Sequence, residues 1–104
     1  SRIDLLTETY NKKVKETADL AQQREDILRL EKNSLEEDYK KSTAENSKAS
    51  REERERITNE YHAAINAKDK ELAELNKEKS SAVDTLHKGY QKDLKDAHDL
   101  YNKL

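Results

Sequence analysis

The stretch ITNEYHAAINAKDKELAELNKEKSSAVDTL, residues 57–86, decides the fold class. Within it Ile57, Tyr61, Ile65, Leu72, Leu75, Ala82 and Leu86 recur at helical spacing, interrupted by Lys68 and Lys79. Steps of three and four residues gather side chains on one face of an α-helix, whereas a half-buried strand would need strict alternation. The other faces carry Arg, Lys, Asp, Glu, Asn and Ser. One helix has nothing of its own to lay over such a stripe, so the stripe calls for a partner helix.

Working outward, the same phase threads the whole chain. It passes through Ile3, Leu6, Tyr10, Val14, Ala21, Leu28, Leu35 and Tyr39, and resumes at Ile57, Tyr61, Ile65, Leu72, Leu75, Ala82, Leu86, Tyr90, Leu94, Ala97, Tyr101 and Leu104. All five tyrosines lie on it. The polar members of the path are Thr17, Arg24, Glu31, Ser42, Asn46, Glu53, Lys68 and Lys79. The mean step is about 3.6 residues, above the 3.5 of a strict heptad, because four-residue steps enter as stutters that locally unwind a left-handed supercoil. The spacing therefore predicts an all-α chain: a long continuous helix forming a parallel dimeric coiled coil with heptad breaks. The alternative is an antiparallel helical hairpin or bundle.

Composition agrees with an elongated helix. Of 104 residues, 42% are charged and 32% hydrophobic, and the chain has one Gly and no Pro, Cys, Met, Trp or Phe. A soluble globular domain is about 45–50% apolar and about 25% charged, so this chain cannot fill a globular core by itself. The periodicity and the wealth of Ala, Leu, Glu, Lys, Gln and Arg argue against disorder. Pairs such as Glu8 with Lys12, Glu36 with Lys40, Glu37 with Lys41, Glu52 with Arg56, Asp84 with Lys88 and Asp99 with Lys103 place an acid four residues before a base. Each such pair stabilises a helix by about 0.2–0.5 kcal/mol.

The middle is the weak part of the seam. Across 42–53 the path offers only Ser42, Asn46, Ala49 and Glu53, and Ser50 followed by Glu53 has the form of a capping box. Either the helix runs straight through, or the chain folds back near 44–50. No Gly or Pro marks a turn there, so the continuous helix is the reading carried forward, with 1–104 a single coiled-coil segment taken from a longer rod.

A second apolar group lies off the seam. Leu5, Leu20, Ile27 and Leu30 broaden the stripe of the first third. They fit a wider bundle seam or a docking patch for another protein.

Function classes narrow by chemistry. A net charge of −2, with acids and bases intermixed, makes no one-signed field for nucleic acid or an anionic membrane, so neither contact is expected. No apolar run is long enough for a membrane span. His62, His87 and His98 lack ligand spacing and are expected to be solvated, and no metal or cofactor is expected. One glycine excludes a Gly-rich phosphate loop, and a rod offers no cleft to tune a general acid or base, so catalysis is not expected. Gly89 either costs the helix about 1 kcal/mol as a tolerated surface residue or admits a close approach. The tyrosines either fill the seam with hydroxyls reaching water, or mark an imperfect seam that opens to a ligand. The expected partners are a second copy and another protein.

LEEDYKKSTAENSKAS (35–50), AKDKELAELNKEK (67–79) and DAHDLYNKL (96–104) resemble the variable N-terminal part of streptococcal M and M-like surface proteins. The resemblance is one of style over most of the chain. It implies a dimeric coiled coil on the cell wall that binds host plasma proteins or peptides. Myosin tails, kinesin stalks and golgins share the composition, which leaves a cytoplasmic scaffolding rod as the alternative.

Overall fold

A computed structural model describes all 104 residues. It contains two α-helices and no strand: α1, Arg2–Glu45, and α2, Arg51–Asn102. The all-α expectation holds. The unbroken helix does not, because α1 stops at Glu45 and the chain reverses through residues 46–50.

The reversal is made by polar side chains. At the end of α1 the Asn46 backbone N–H donates to the Ser42 carbonyl at 3.0 Å, and the Asn46 side-chain amide donates to the same oxygen at 2.8 Å. Ser47 N–H then bonds Ala44 O at 3.4 Å, and Ala49 N–H bonds Asn46 O at 3.1 Å. These bonds occupy carbonyls that a helix end leaves without partners. Ser50 caps α2: its hydroxyl accepts the Glu53 N–H at 3.2 Å while its carbonyl accepts Arg54 N–H at 3.0 Å. Only half of the capping box forms, since the Glu53 carboxylate turns to the Arg56 guanidinium instead. No residue of the turn adopts a positive φ, which is how it is built without glycine.

The chain divides into two units. The second, Gln23–Leu75, holds the turn and an antiparallel pair of helices. Ile57 and Leu75 are buried in it, with Leu28, Leu35, Tyr39, Tyr61, Ile65 and Leu72 half-buried. Ser42, Asn46, Ala49 and Glu53, the weak part of the seam, are half-buried as well. Charges close the flank. Lys68 Nζ bonds the Glu31 carboxylate, and Lys32 Nζ meets Asp69 Oδ1 at 2.7 Å. Seam positions of α1 therefore face seam positions of α2 in the same chain, where a parallel second chain was expected.

The first unit joins Ser1–Gln22 of α1 to Asn76–Leu104 of α2. Ala97 is its buried residue, and Ile3, Leu6, Tyr10, Val14, Ala21, Leu86, Tyr90 and Leu94 are half-buried. Three positions of the expected seam are not covered within this unit. Ala82 is exposed and Val83 is half-buried in its stead. Four-residue steps from Leu75 through Lys79 reach Val83, which has more apolar surface to cover than Ala82. Tyr101 and Leu104 are also exposed, at 74% and 100%. Thr7 meets Tyr90 in this antiparallel pair, so one turn further brings Ile3 level with Leu94, and Tyr101 lies past the first turn of α1.

Gly89 has open space around it, with no atom within 4 Å of where a Cβ would stand. Within the chain itself, no neighbouring element approaches closely at this glycine. Of the six acid-before-base pairs, Asp84 with Lys88 forms, at 3.0 Å. Arg56 pairs instead with Glu53 and with Glu60, and Lys40 with Glu37, three residues before it.

Candidate association surface

Each unit carries a tyrosine cluster between its helices. In the first unit Tyr10 stacks on Tyr90, with ring centroids 4.3 Å apart and planes 9° from parallel. The Thr7 hydroxyl donates to Ile3 O at 2.9 Å, which spends its only proton. The Tyr90 hydroxyl, 2.9 Å from Thr7 Oγ1, must then be the donor in that bond. Tyr10 Oη lies 3.2 Å from His87 Nδ1. In the second unit Tyr39 stacks on Tyr61 at 5.6 Å, meets His62 edge-on at 5.4 Å and 88°, and places its hydroxyl 3.3 Å from Thr58 Oγ1.

These clusters act as register marks. An offset aromatic pair contributes about 0.5–1.5 kcal/mol beyond its buried area. A slip of one turn would separate both the rings and their hydroxyl partners. His62 and His87, expected to be solvated, are exposed, and each also lies against a tyrosine of α1. The signal for it was the proximity of His62 to Tyr61 and of His87 to Tyr90, three residues on, which puts each histidine beside a seam tyrosine.

Apart from Asp4, which Ser1 and the terminal amine lower, the charged groups with displaced pKa values sit in solvent-accessible ion pairs. The Glu31 carboxylate raises Lys68 above the usual lysine value, and Asp69 does the same for Lys32. Arg56 lowers Glu53. None of these lies in a cleft. The groove beside Tyr10, lined by Asn76, Lys79, Val83, Asp84 and His87, is shallow and open to solvent. No three His, Cys, Asp or Glu side chains stand together as a ligand set, and no helix is long and apolar enough to cross a membrane.

Some of what the helix pairing leaves uncovered is apolar. In the first unit Leu5 is 62% and Leu20 61% exposed, and in the second Ile27 is 56% and Leu30 68% exposed. All four belong to α1 and all four lie off the seam. A lone exposed leucine needs no explanation, but Ile27 and Leu30 of the second unit stand three residues apart on one side of α1.

Comparison with protein-family models, curated proteins and solved structures finds no match to this chain.

Proposed function

We propose that this chain is a non-catalytic protein-association module, a helical hairpin in which the outer apolar row of α1 is the binding surface. One observation carries this reading. Apart from Ala82, Tyr101 and Leu104, the apolar members of the main stripe are at least half-buried within the chain, while Leu5, Leu20, Ile27 and Leu30 stay more than half exposed. Exposed apolar side chains in register along a helix suit a groove or helix on another protein, with anchors three, four and seven residues apart. The ion pairs along the flanks supply solubility and helix support, and nothing in their geometry asks for a reacting group.

The test is photocrosslinking from single sites. A photoreactive side chain at Ile27 or Leu30, incubated with plasma and separately with cytosol, is expected to give a discrete adduct. The same probe at Lys77 or Lys92, on exposed positions of α2, is expected to give none. Equal labelling from all four positions, or none from any, refutes the reading.

A further inference from the structure

The turn that joins α1 to α2 is made of residues that a helix also accepts. Residues 46–50 read Asn-Ser-Lys-Ala-Ser, with no Gly or Pro, and none adopts a positive φ. Ala and Lys are good helix formers, and a helix tolerates Asn and Ser. The helical ladder still reaches Asn46, whose N–H bonds the Ser42 carbonyl, before it tightens into the three-residue bonds from Ser47 to Ala44 and from Ala49 to Asn46. Two side-chain bonds fasten the bend: the Asn46 amide to Ser42 O at 2.8 Å, and the Glu53 N–H to the Ser50 hydroxyl at 3.2 Å. The seam also keeps its phase across the turn. Tyr39 and Ile57 are 18 residues apart, which is about five whole turns at 3.6 residues each. In an unbroken helix they share one side, with Ser42, Asn46, Ala49 and Glu53 stepping between them. A reversal imposes no such relation on the two helices it joins, whereas a helix running through 46–50 requires it.

The cross-helix pairs of the second unit share one centre. Tyr39 faces Tyr61, Glu31 faces Lys68 and Lys32 faces Asp69, and the midpoint of each pair falls at or beside Ser50. We infer that the hairpin has an exchanged form, in which the turn straightens into helix and two copies of this chain pair antiparallel about a two-fold axis at Ser50. Each α1 then lies against α2 of the other copy. The pairs of the second unit are remade between chains: Tyr39 with Tyr61, Glu31 with Lys68 and Lys32 with Asp69. The first unit is built from the same two helices, so Tyr10 and Tyr90 are remade likewise. Near the axis Asn46 of one copy comes level with Glu53 of the other, and Ser42 with Ile57, all positions the hairpin already covers at least in part. The exchange uses only the surface that the hairpin itself uses, so it is independent of the outer row of α1. Straightening restores the four-residue backbone ladder through the turn. It gives up the two fastening bonds and the advantage of closing within one chain, and a short connection of helix formers keeps that balance close.

The test is a spin-label distance within one chain. Chain carrying Ser34→Cys and Asn59→Cys labels is heated and slowly cooled in an excess of unlabelled chain, so that an exchanged dimer holds one labelled copy. Total chain is set at about 1 mM, near the effective concentration that a short connection gives its two ends. Size-exclusion chromatography then separates monomer from dimer. The monomer is expected to keep the short separation of the hairpin. The dimer is expected to show roughly 38 Å, the length of about 25 helical residues at 1.5 Å each. Lys48→Gly with Ala49→Gly weakens a helix through the turn but permits a reversal, and should lower the dimerisation constant by about tenfold or more. Asn46→Ala with Ser50→Ala removes both fastening bonds and should raise it by about tenfold or more. Circular dichroism confirms that every variant remains helical. A dimer whose labelled copy keeps the hairpin distance overturns the inference and points to the outer row instead. A parent chain that stays monomeric at this concentration also overturns it, as do turn variants that leave the dimer unchanged. None of these failures touches the crosslinking from Ile27, on which the association reading stands or falls separately.

Discussion

Leu75 and Leu30 are the same residue in opposite settings, and replacing each by Ala separates the two faces of the helices. Leu75 is 6% exposed and Leu30 is 68% exposed. Full burial of a leucine is worth about 1.5–3 kcal/mol, and truncation in a core costs about 2–5 kcal/mol once the cavity is counted. No side chain here is wholly enclosed, so the surroundings of Leu75 can partly collapse, and a cost near the low end, about 2 kcal/mol, is expected. That corresponds to a change of roughly thirtyfold in the folding equilibrium. Leu30→Ala gives up little buried area and gains slightly in helix propensity, so its cost should stay under about 0.5 kcal/mol. The assay is urea unfolding followed by helical circular dichroism, at a few micromolar as an order of magnitude, where weak self-association is not populated. A Leu30→Ala loss equal to that of Leu75→Ala would refute the assignment of inner and outer rows.

Four further outcomes are expected. Spin labels at Ser34→Cys and Asn59→Cys should lie well inside the roughly 38 Å that 25 residues of unbroken helix would impose, because the chain reverses between them; double electron–electron resonance reads the distance. Ser50→Ala removes the α2 cap and should cost about 1 kcal/mol in the same unfolding assay, with Ser50→Asp close to neutral. Gly89→Ala should stabilise by about 0.5–1 kcal/mol, since a methyl group there meets no atom and the backbone is already helical. For pH, Lys68 and Lys32 are raised in the folded chain, so their contribution is complete below the ordinary lysine value and is lost as pH rises through the raised ones. Glu53 is lowered, so its contribution is present above the ordinary glutamate value and is lost as pH falls through the lowered one. An alkaline and an acid fall in helicity, each reduced in Lys68→Met and Glu53→Gln respectively, checks both signs.

Helix and seam were legible because burial follows the 3.6 period whatever covers the stripe. Ile57, Leu75 and Ala97 were on the path and are the buried residues of the structure. What covers the stripe was not legible. A parallel second chain and an antiparallel return of the same chain hide the same face, so periodicity cannot separate them. The deciding signal was Ser50 with Glu53, and it was outweighed by the absence of Gly and Pro. That absence proved uninformative because Asn46 ends α1 through its side chain without any left-handed residue. Val83 was missed for a smaller reason: a three-residue step from Lys79 lands on Ala82, and a four-residue step was equally open. The outer row of α1 was visible in the spacing of Leu20, Ile27 and Leu30, but whether it widened the seam or stood free depended on where α2 lies.

The tyrosine clusters make the molecule its own spectrometer. The chain has no tryptophan, and four of its five tyrosines sit in two ring pairs, one in each unit. Near-ultraviolet ellipticity and phenolic emission therefore come mostly from these two places. Deleting one pair as Tyr10→Leu with Tyr90→Leu, and separately Tyr39→Leu with Tyr61→Leu, leaves each unit to be watched opening by the light of the other pair's rings, with no dye attached.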